Sequence, residues 1–205
     1  MKALLALVLL AAPAAAQTGP AATLPREPAL RAEILARYAA DQDVRTRLVA
    51  AGVAAPDSAL LAEMVATDAG NVARIAEVVE RHGWPSAALV GRDGVEAAFM
   101  IVQHADPATQ GRMLPLVEAA YRAGELAGSS YALLLDRVRL GRGEPQVYGT
   151  QASLGPGGAV TIAPTVDDAT LDARRAEVGL SPVADYLRML RDLYAPGADP
   201  VIVAE

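Results

Sequence analysis

The chain has 205 residues, 53% of them hydrophobic, and its 18 basic and 24 acidic side chains give a net charge of −6. It contains no cysteine, which excludes disulfides, thiol nucleophiles, iron–sulfur clusters and cysteine-based zinc sites. Its only lysine is Lys2, and an acidic chain without a basic run is not typical of proteins that bind nucleic acid or anionic lipid.

The N-terminal residues have the pattern of a secretory signal peptide. Lys2 precedes an apolar run over residues 3–12 and an alanine cluster at 14–16, which predicts removal of residues 1–16. The run is too short to span a bilayer as a helix, so no membrane span is expected after cleavage. We therefore expect a periplasmic or secreted protein. Residues 17–28 are rich in proline and alanine and are predicted to form a flexible linker.

Helical periodicity dominates the rest of the chain, where apolar side chains recur at steps of three and four residues. Asp57 or Ser58 is predicted to cap the second helix, and Asp68 either caps a third helix or continues the second. Pro115 is expected to kink or restart its helix. The predicted helices cover residues 29–51, a segment from about 59, 69–81, 94–105, 107–123, 131–140, 171–178 and 182–194.

The pattern changes from a helical to a strand-like period late in the chain. Residues 146–152 and 160–163 are predicted to form two short strands joined by a Gly-Pro-Gly-Gly turn at 155–158. We therefore expect a mainly α protein, a single helical domain of about seven helices over residues 29–195 with one late β-hairpin. The C-terminal tail at 196–205 follows it.

Several predicted helices carry a polar side chain beside an apolar face. His104, for example, shares a face with Met100 and Ile101. A buried charge is costly unless it is paired, so we expect such groups to meet in one internal polar cluster. The candidates are Asp41, Arg45, Asp68, His104, Asp136 and Arg137.

Each of these residues also has a purely structural interpretation. Asp41 and Arg45 have the spacing of a helix-surface ion pair, and Asp68 and Asp106 lie where N-caps are expected. His104 could equally be a neutral core histidine that bonds a carbonyl. The two histidines of the chain show no recognised ligand spacing, so we predict no metal and no cofactor.

The stretch over residues 146–151, Gln-Val-Tyr-Gly-Thr-Gln, is the most unusual in the chain. It places two amides, a phenol and a hydroxyl around Gly149. Glycine within a strand often marks a bulge or a close approach of backbone. The stretch is either an outward-facing polar strand or the lining of a site.

Seven short motifs occur in order along the chain. They are D-Q-x-x-R at 41–45, D-x-x-N at 68–71, G-W-P at 83–85, Q-H-A-D at 103–106 with Gln110, D-R at 136–137, Q-x-Y-G-T-Q at 146–151 and D-x-R-R at 172–175 with Gly179-Leu180. In this ordered set the chain resembles a bacterial family known only as a domain of unknown function. The resemblance covers about residues 30–190 and implies a helical domain whose characteristic residues are these polar ones, without implying a reaction.

Three functions are compatible with these residues. The first is a binding module with a polar pocket for a small anionic or peptide-like envelope ligand. The second is a hydrolase-like enzyme in which His104 is the general base, oriented by Asp41 or Asp136, and activates water or the hydroxyl of Thr150. The third is a structural or interaction domain without a site. The predicted ligand-binding residues are Arg45, Asn71, Gln103, Arg137, Gln146, Tyr148, Thr150 and Gln151.

Overall fold

The computed structural model describes residues 24–51, 57–154 and 159–194. These residues form seven helices and one antiparallel two-stranded sheet, which confirms the predicted mainly α fold with a late hairpin. In chain order the elements are α1 (Pro28–Ala51), α2 (Ser58–His82), α3 (Ala87–Gln103), α4 (Pro107–Arg122), α5 (Gly128–Gly141), β1 (Ala152–Leu154), β2 (Val160–Ile162), α6 (Leu171–Glu177) and α7 (Val183–Tyr194).

The described residues fall into two compact units. Residues 24–126 form the first, in which α3 packs against α1, α2 and α4 while α1 also packs against α2. Helix α3 is mostly apolar, which suits a helix with neighbours on three sides. Its side chains Val95, Phe99 and Ile101 are buried. Residues 127–194 form the second unit, which contains α5–α7 and the hairpin.

Helix α2 is one continuous helix. The sequence was also compatible with two helices divided at Asp68. The Asp57 side chain caps it by accepting a hydrogen bond of 2.7 Å from the backbone N–H of Ala59. Gly83, with a φ of 72°, ends it. Asp68 therefore lies inside the helix, and its side chain is available for contacts with other helices.

Helix α3 begins at Ala87 rather than at the predicted Gly94, because its first turn precedes a glycine break. The Ser86 side chain caps this turn by accepting from the backbone N–H of Leu89. Gly91 interrupts the helical geometry with φ 77° and ψ 159°, a conformation that is essentially restricted to glycine. The predicted C-terminal end at Ala105 also moves, since His104 is the C-cap residue.

Two Gly→Ala substitutions should have opposite effects on stability. At Gly91 an added Cβ would lie 2.8 Å from Asp93 Oδ1 in a left-handed conformation, so Gly91→Ala should destabilise the protein by about 1–3 kcal/mol. Gly70 lies in the interior of α2 with no atom near an added Cβ, so Gly70→Ala should stabilise by about 0.5–1 kcal/mol. Thermal unfolding of both variants measures the difference, and shifts of equal sign would contradict this account.

The structure decides one expectation and changes another. Helix α4 continues through Pro115 from Pro107 to Arg122, so it does not restart there. The first predicted strand, at 146–152, moves towards the C-terminus: β1 pairs with β2 in the register Ala152↔Ile162, whereas Gln146 forms only an isolated bridge to Thr165. The reason is that side chains, and not a neighbouring strand, bond most peptide groups of residues 146–151.

The predictions for the two ends of the chain and for the hairpin turn lie largely outside the described residues. These are the signal peptide at 1–16, most of the linker at 17–28, the turn at 155–158 and the tail at 196–205. Within the linker, the backbone N–H groups of Arg26 and Glu27 donate to the carbonyls of Ala88 and Leu89. Among the helices that the structure describes, none combines the length and apolar character needed to cross a membrane.

Candidate functional site

A histidine–aspartate pair lies in the first unit, where the end of α3 meets α1. Nδ1 of His104 lies 2.8 Å from Oδ1 of Asp41. The Asp41 side chain is 1% exposed and that of His104 is 12% exposed, so the carboxylate is enclosed while the imidazole reaches the surface. The predicted proximity of His104 and Asp41 is therefore present in the fold.

Arg45 connects this pair to α2. Its Nη1 donates to Oδ1 of Asp41 at 2.7 Å, and its Nη2 donates to both carboxylate oxygens of Asp68 at 2.9 Å. The spacing of Asp41 and Arg45 predicted an ion pair on the surface of α1. The pair forms, but it is buried. We call Asp41, Arg45, Asp68 and His104 the His104 cluster.

The charges in the His104 cluster do not balance while the imidazole is neutral. Two carboxylates face one guanidinium, so the formal charge is −1, and a proton on His104 would bring it to zero. Burial raises the pKa of Asp41, but the hydrogen bond and charge of His104, together with Arg45, outweigh burial and lower it overall. Burial raises the pKa of Asp68, and Arg45 offsets this only in part.

The bond to Asp41 determines which nitrogen of His104 is available for chemistry. An ionised carboxylate only accepts hydrogen bonds, so Nδ1 carries the proton and Nε2 of the neutral ring holds the lone pair. Within the part of the chain that the structure describes, Asp41 is the one hydrogen-bond partner of the imidazole. Gln42 donates to the other oxygen of Asp41 at 2.8 Å and so helps to fix the carboxylate.

The same residues are the one candidate set of metal ligands among the described residues. Donor atoms of Asp41, Asp68 and His104 lie within 4.8 Å of one another. A divalent cation there would have to share the two carboxylates with the guanidinium of Arg45, which already bonds both. Like charges at that distance repel, so this donor set fits a metal poorly.

Two predicted ligand-binding residues of the first unit have partners within the fold. The buried side chain of Asn71 donates to the backbone carbonyl of Arg37 at 3.2 Å and so connects α2 to α1. Gln103 is also buried, and its backbone carbonyl accepts a hydrogen bond of 2.9 Å from Nε2 of Gln110. Both residues therefore support the helices around the His104 cluster.

Asp136 organises a second set of polar residues, in the unit formed by residues 127–194. It is completely buried on α5. Its Oδ1 accepts from the backbone N–H groups of Val147 at 2.8 Å and Tyr148 at 3.1 Å. Its Oδ2 accepts from both the N–H and the hydroxyl of Thr150, at 3.0 and 2.9 Å. One carboxylate thus satisfies four donors of a single loop, residues 146–151, which we call the 146–151 loop.

Helix α6 bonds the carbonyl groups of the same loop. Nε of Arg174 donates to the carbonyl of Val147 at 2.7 Å. Nη1 of Arg175 donates to the carbonyls of Tyr148 at 2.8 Å and Gly149 at 3.2 Å. Arg175 is 1% exposed, and burial lowers its pKa. The cation is therefore held by peptide dipoles within the interior.

The two ends of the 146–151 loop are fixed in a similar way. The side-chain amide of Gln146 accepts from the backbone N–H of Gln151 at 2.7 Å and donates to the backbone carbonyl of Gln151 at 3.0 Å. It thus replaces the two hydrogen bonds that a paired strand would make. The hydroxyl of Tyr186 donates to the carbonyl of Thr150 at 2.6 Å. Arg174, Arg175 and Tyr186 are not among the predicted site residues, and the D-x-R-R motif at 172–175 is the one sequence signal for the two arginines.

Two side chains connect the loop to α5. Nε of Arg137 donates to Oε1 of Gln151 at 3.3 Å. The ring of Tyr148 packs edge to face against Tyr131, with centroids 6.4 Å apart.

The predicted site residues thus occur in two sets, one in each compact unit. The prediction that both sets line a single pocket stays a prediction. The first set contains Asp41, Arg45, Asn71, Gln103 and His104, and the second contains Asp136, Arg137, Gln146, Tyr148, Thr150 and Gln151.

These features define a helical protein with a buried ionic cluster that ends at a partly exposed histidine. The model of DUF6624, a family of unknown function, matches residues 28–197, and the chain belongs to that family. The predicted resemblance to a family of unknown function is therefore confirmed. No curated protein and no solved structure matches the chain.

Proposed function

We propose that this domain is a hydrolytic enzyme in which His104 is the general base and Asp41 orients it. The observation that carries the proposal is the 2.8 Å contact between Nδ1 of His104 and Oδ1 of a carboxylate that is 1% exposed. A buried carboxylate at Nδ1 fixes the ring and its tautomer, which leaves Nε2 to accept a proton at the surface.

The reaction would use one proton transfer in each direction. Nε2 removes a proton from water while the water oxygen attacks the electrophilic carbonyl carbon of the substrate. The imidazolium then returns that proton to the leaving group as the bond to it breaks. Formation of the imidazolium brings the charge of the His104 cluster from −1 to zero, so Asp41 and Asp68 favour this step.

The charge of the cluster also favours one class of substrate. Arg45 already donates to two carboxylates, so it has little capacity to hold an anionic group. A site with a formal charge of −1 repels anions. We therefore propose an uncharged acyl substrate, an ester or an amide, rather than the small anionic ligand of the binding-module hypothesis. Export remains part of the proposal, because residues 1–16 have the signal pattern.

Replacement of His104 tests the proposal. With p-nitrophenyl acetate and p-nitrophenyl butyrate as probes, His104→Gln should lower the rate by about 10²–10⁴-fold, since glutamine cannot take up the proton. The control is Arg81→Gln, at the exposed end of α2, which should keep the wild-type rate. Both variants should melt within a few degrees of the wild type.

Three results would contradict the proposal. The first is the absence of turnover of both esters by the wild type above the buffer rate. The second is equal turnover by His104→Gln and the wild type. The third is loss of activity with a chelator and its recovery with a divalent cation, which would assign the chemistry to a metal at the His104 cluster.

A further inference from the structure

A separate cavity of about 270 Å³ lies in the first unit, where residues 26–27 pass the turn between α2 and α3. Backbone hydrogen bonds from Arg26 and Glu27 to the carbonyls of Ala88 and Leu89 hold this wall of the cavity in place. The volume corresponds to about nine molecules of liquid water. The lining residues are Arg26, Glu27, His82, Trp84, Ser86 and Leu89.

The lining brings together one cation, one anion and an apolar wall. Arg26 and Glu27 are exposed, and neither side chain bonds another residue in the described part of the chain. The indole of Trp84 and the side chain of Leu89 supply the apolar part. Nε1 of Trp84 is buried and has no hydrogen-bond partner among the described residues, which is rare for a buried donor.

We infer that this cavity binds a small zwitterion, an α-amino acid with an aliphatic side chain. Its carboxylate would pair with Arg26 and with a ring N–H of His82. Its ammonium group would pair with Glu27, and its side chain would pack against Trp84 and Leu89. A ligand with only one charge would pair with one of these two exposed side chains and leave the other in water. This inference is independent of the proposed hydrolytic function.

The experiment uses the fluorescence of Trp84, which is the only tryptophan in the chain. L-leucine, with about nine non-hydrogen atoms, should change the emission with saturation. N-acetyl-L-leucine lacks the ammonium group and L-leucinamide lacks the carboxylate. Each should bind about tenfold more weakly than leucine, the effect of losing one charge-assisted hydrogen bond.

Two variants assign each charge of the ligand to its partner. Arg26→Gln should weaken leucine about tenfold and leave leucinamide unchanged, because only leucine has the carboxylate that Arg26 would bind. Glu27→Gln should weaken leucine to the same extent and leave N-acetyl-leucine unchanged. The matched control is Arg81→Gln, an exposed arginine in the last turn of α2 that does not line the cavity.

The inference would be overturned by the absence of a saturable response to leucine in the folded wild-type protein. It would also be overturned if all three probes responded equally, or if Arg26→Gln and Glu27→Gln left leucine binding unchanged. Because these substitutions are on exposed residues, circular dichroism and melting should match the wild type and show that the variants fold.

Discussion

Replacing Arg45 with methionine is expected to lower the free energy of unfolding by about 3–5 kcal/mol. Methionine has nearly the volume of the arginine stem, so packing changes little. The substitution removes the one cation between Asp41 and Asp68 and leaves two carboxylates in a largely enclosed space. Chemical denaturation at pH 7 measures the loss.

The loss should become smaller as the pH falls from 7 towards 4. Burial already raises the pKa of Asp68, and without Arg45 it would rise further. A group whose pKa is higher in the folded than in the unfolded state stabilises the fold as the pH drops through its folded pKa. A proton can thus replace part of the function of the guanidinium in the variant.

The control for this experiment lies half a turn further along α1. Arg47 also connects two acids, Asp43 and Glu63, but all three side chains are exposed. Arg47→Met should therefore change stability much less than Arg45→Met, because water and salt screen exposed pairs. Equal effects of the two substitutions, or an Arg45→Met deficit that grows at low pH, would show that the His104 cluster is not held by Arg45.

The second large effect is expected for Asp136→Asn, with a loss of about 3–5 kcal/mol. Asparagine keeps the shape of the side chain but replaces one acceptor oxygen with an NH₂ group. This group would face N–H or hydroxyl donors of the 146–151 loop, and each buried donor left unpaired costs about 1–3 kcal/mol. The charge that strengthens the remaining bonds is lost as well.

Hydrogen exchange shows whether this loss originates in the loop. The amides of Val147, Tyr148 and Thr150 should exchange faster in Asp136→Asn, because Asp136 is their acceptor. Thr150→Val removes the hydroxyl bond to Asp136 and the bond that this hydroxyl accepts from Nε2 of Gln151 at 3.1 Å, and it should cost about 1–2 kcal/mol. Unchanged exchange of these amides in Asp136→Asn would assign any destabilisation to another part of the unit.

Much of the fold and part of the candidate site could be predicted because both depend on local patterns. Period and capping residues located most of the helices, and the helix starts at Asp57 and Asp106 follow the expected caps. Asp41, Arg45 and His104 each lie beside an apolar helix face, and an unpaired buried charge is costly. That argument was enough to predict that these three residues meet.

The remaining features depend on contacts between distant residues, which leave no period in the sequence. Gly91 and Gly94 weaken the helical signal of α3, but capping by Ser86 and burial of Leu89 and Val90 form its first turn nevertheless. Tertiary contacts likewise explain why residues 146–151 are not a strand. Their bonding partners lie on α5, α6 and α7, and no local rule connects Asp136 with residues 11–14 positions further along the chain.

The 146–151 loop has a consequence for how its surface can change. Its course is specified by Asp136, Arg174, Arg175 and Tyr186, all of which lie elsewhere in the chain and bond peptide groups that every residue except proline possesses. The side chain of Val147 takes no part in these bonds, so its identity is not needed to maintain that course. New chemical groups other than proline can be introduced at this position by mutation or by design while the path of the main chain persists.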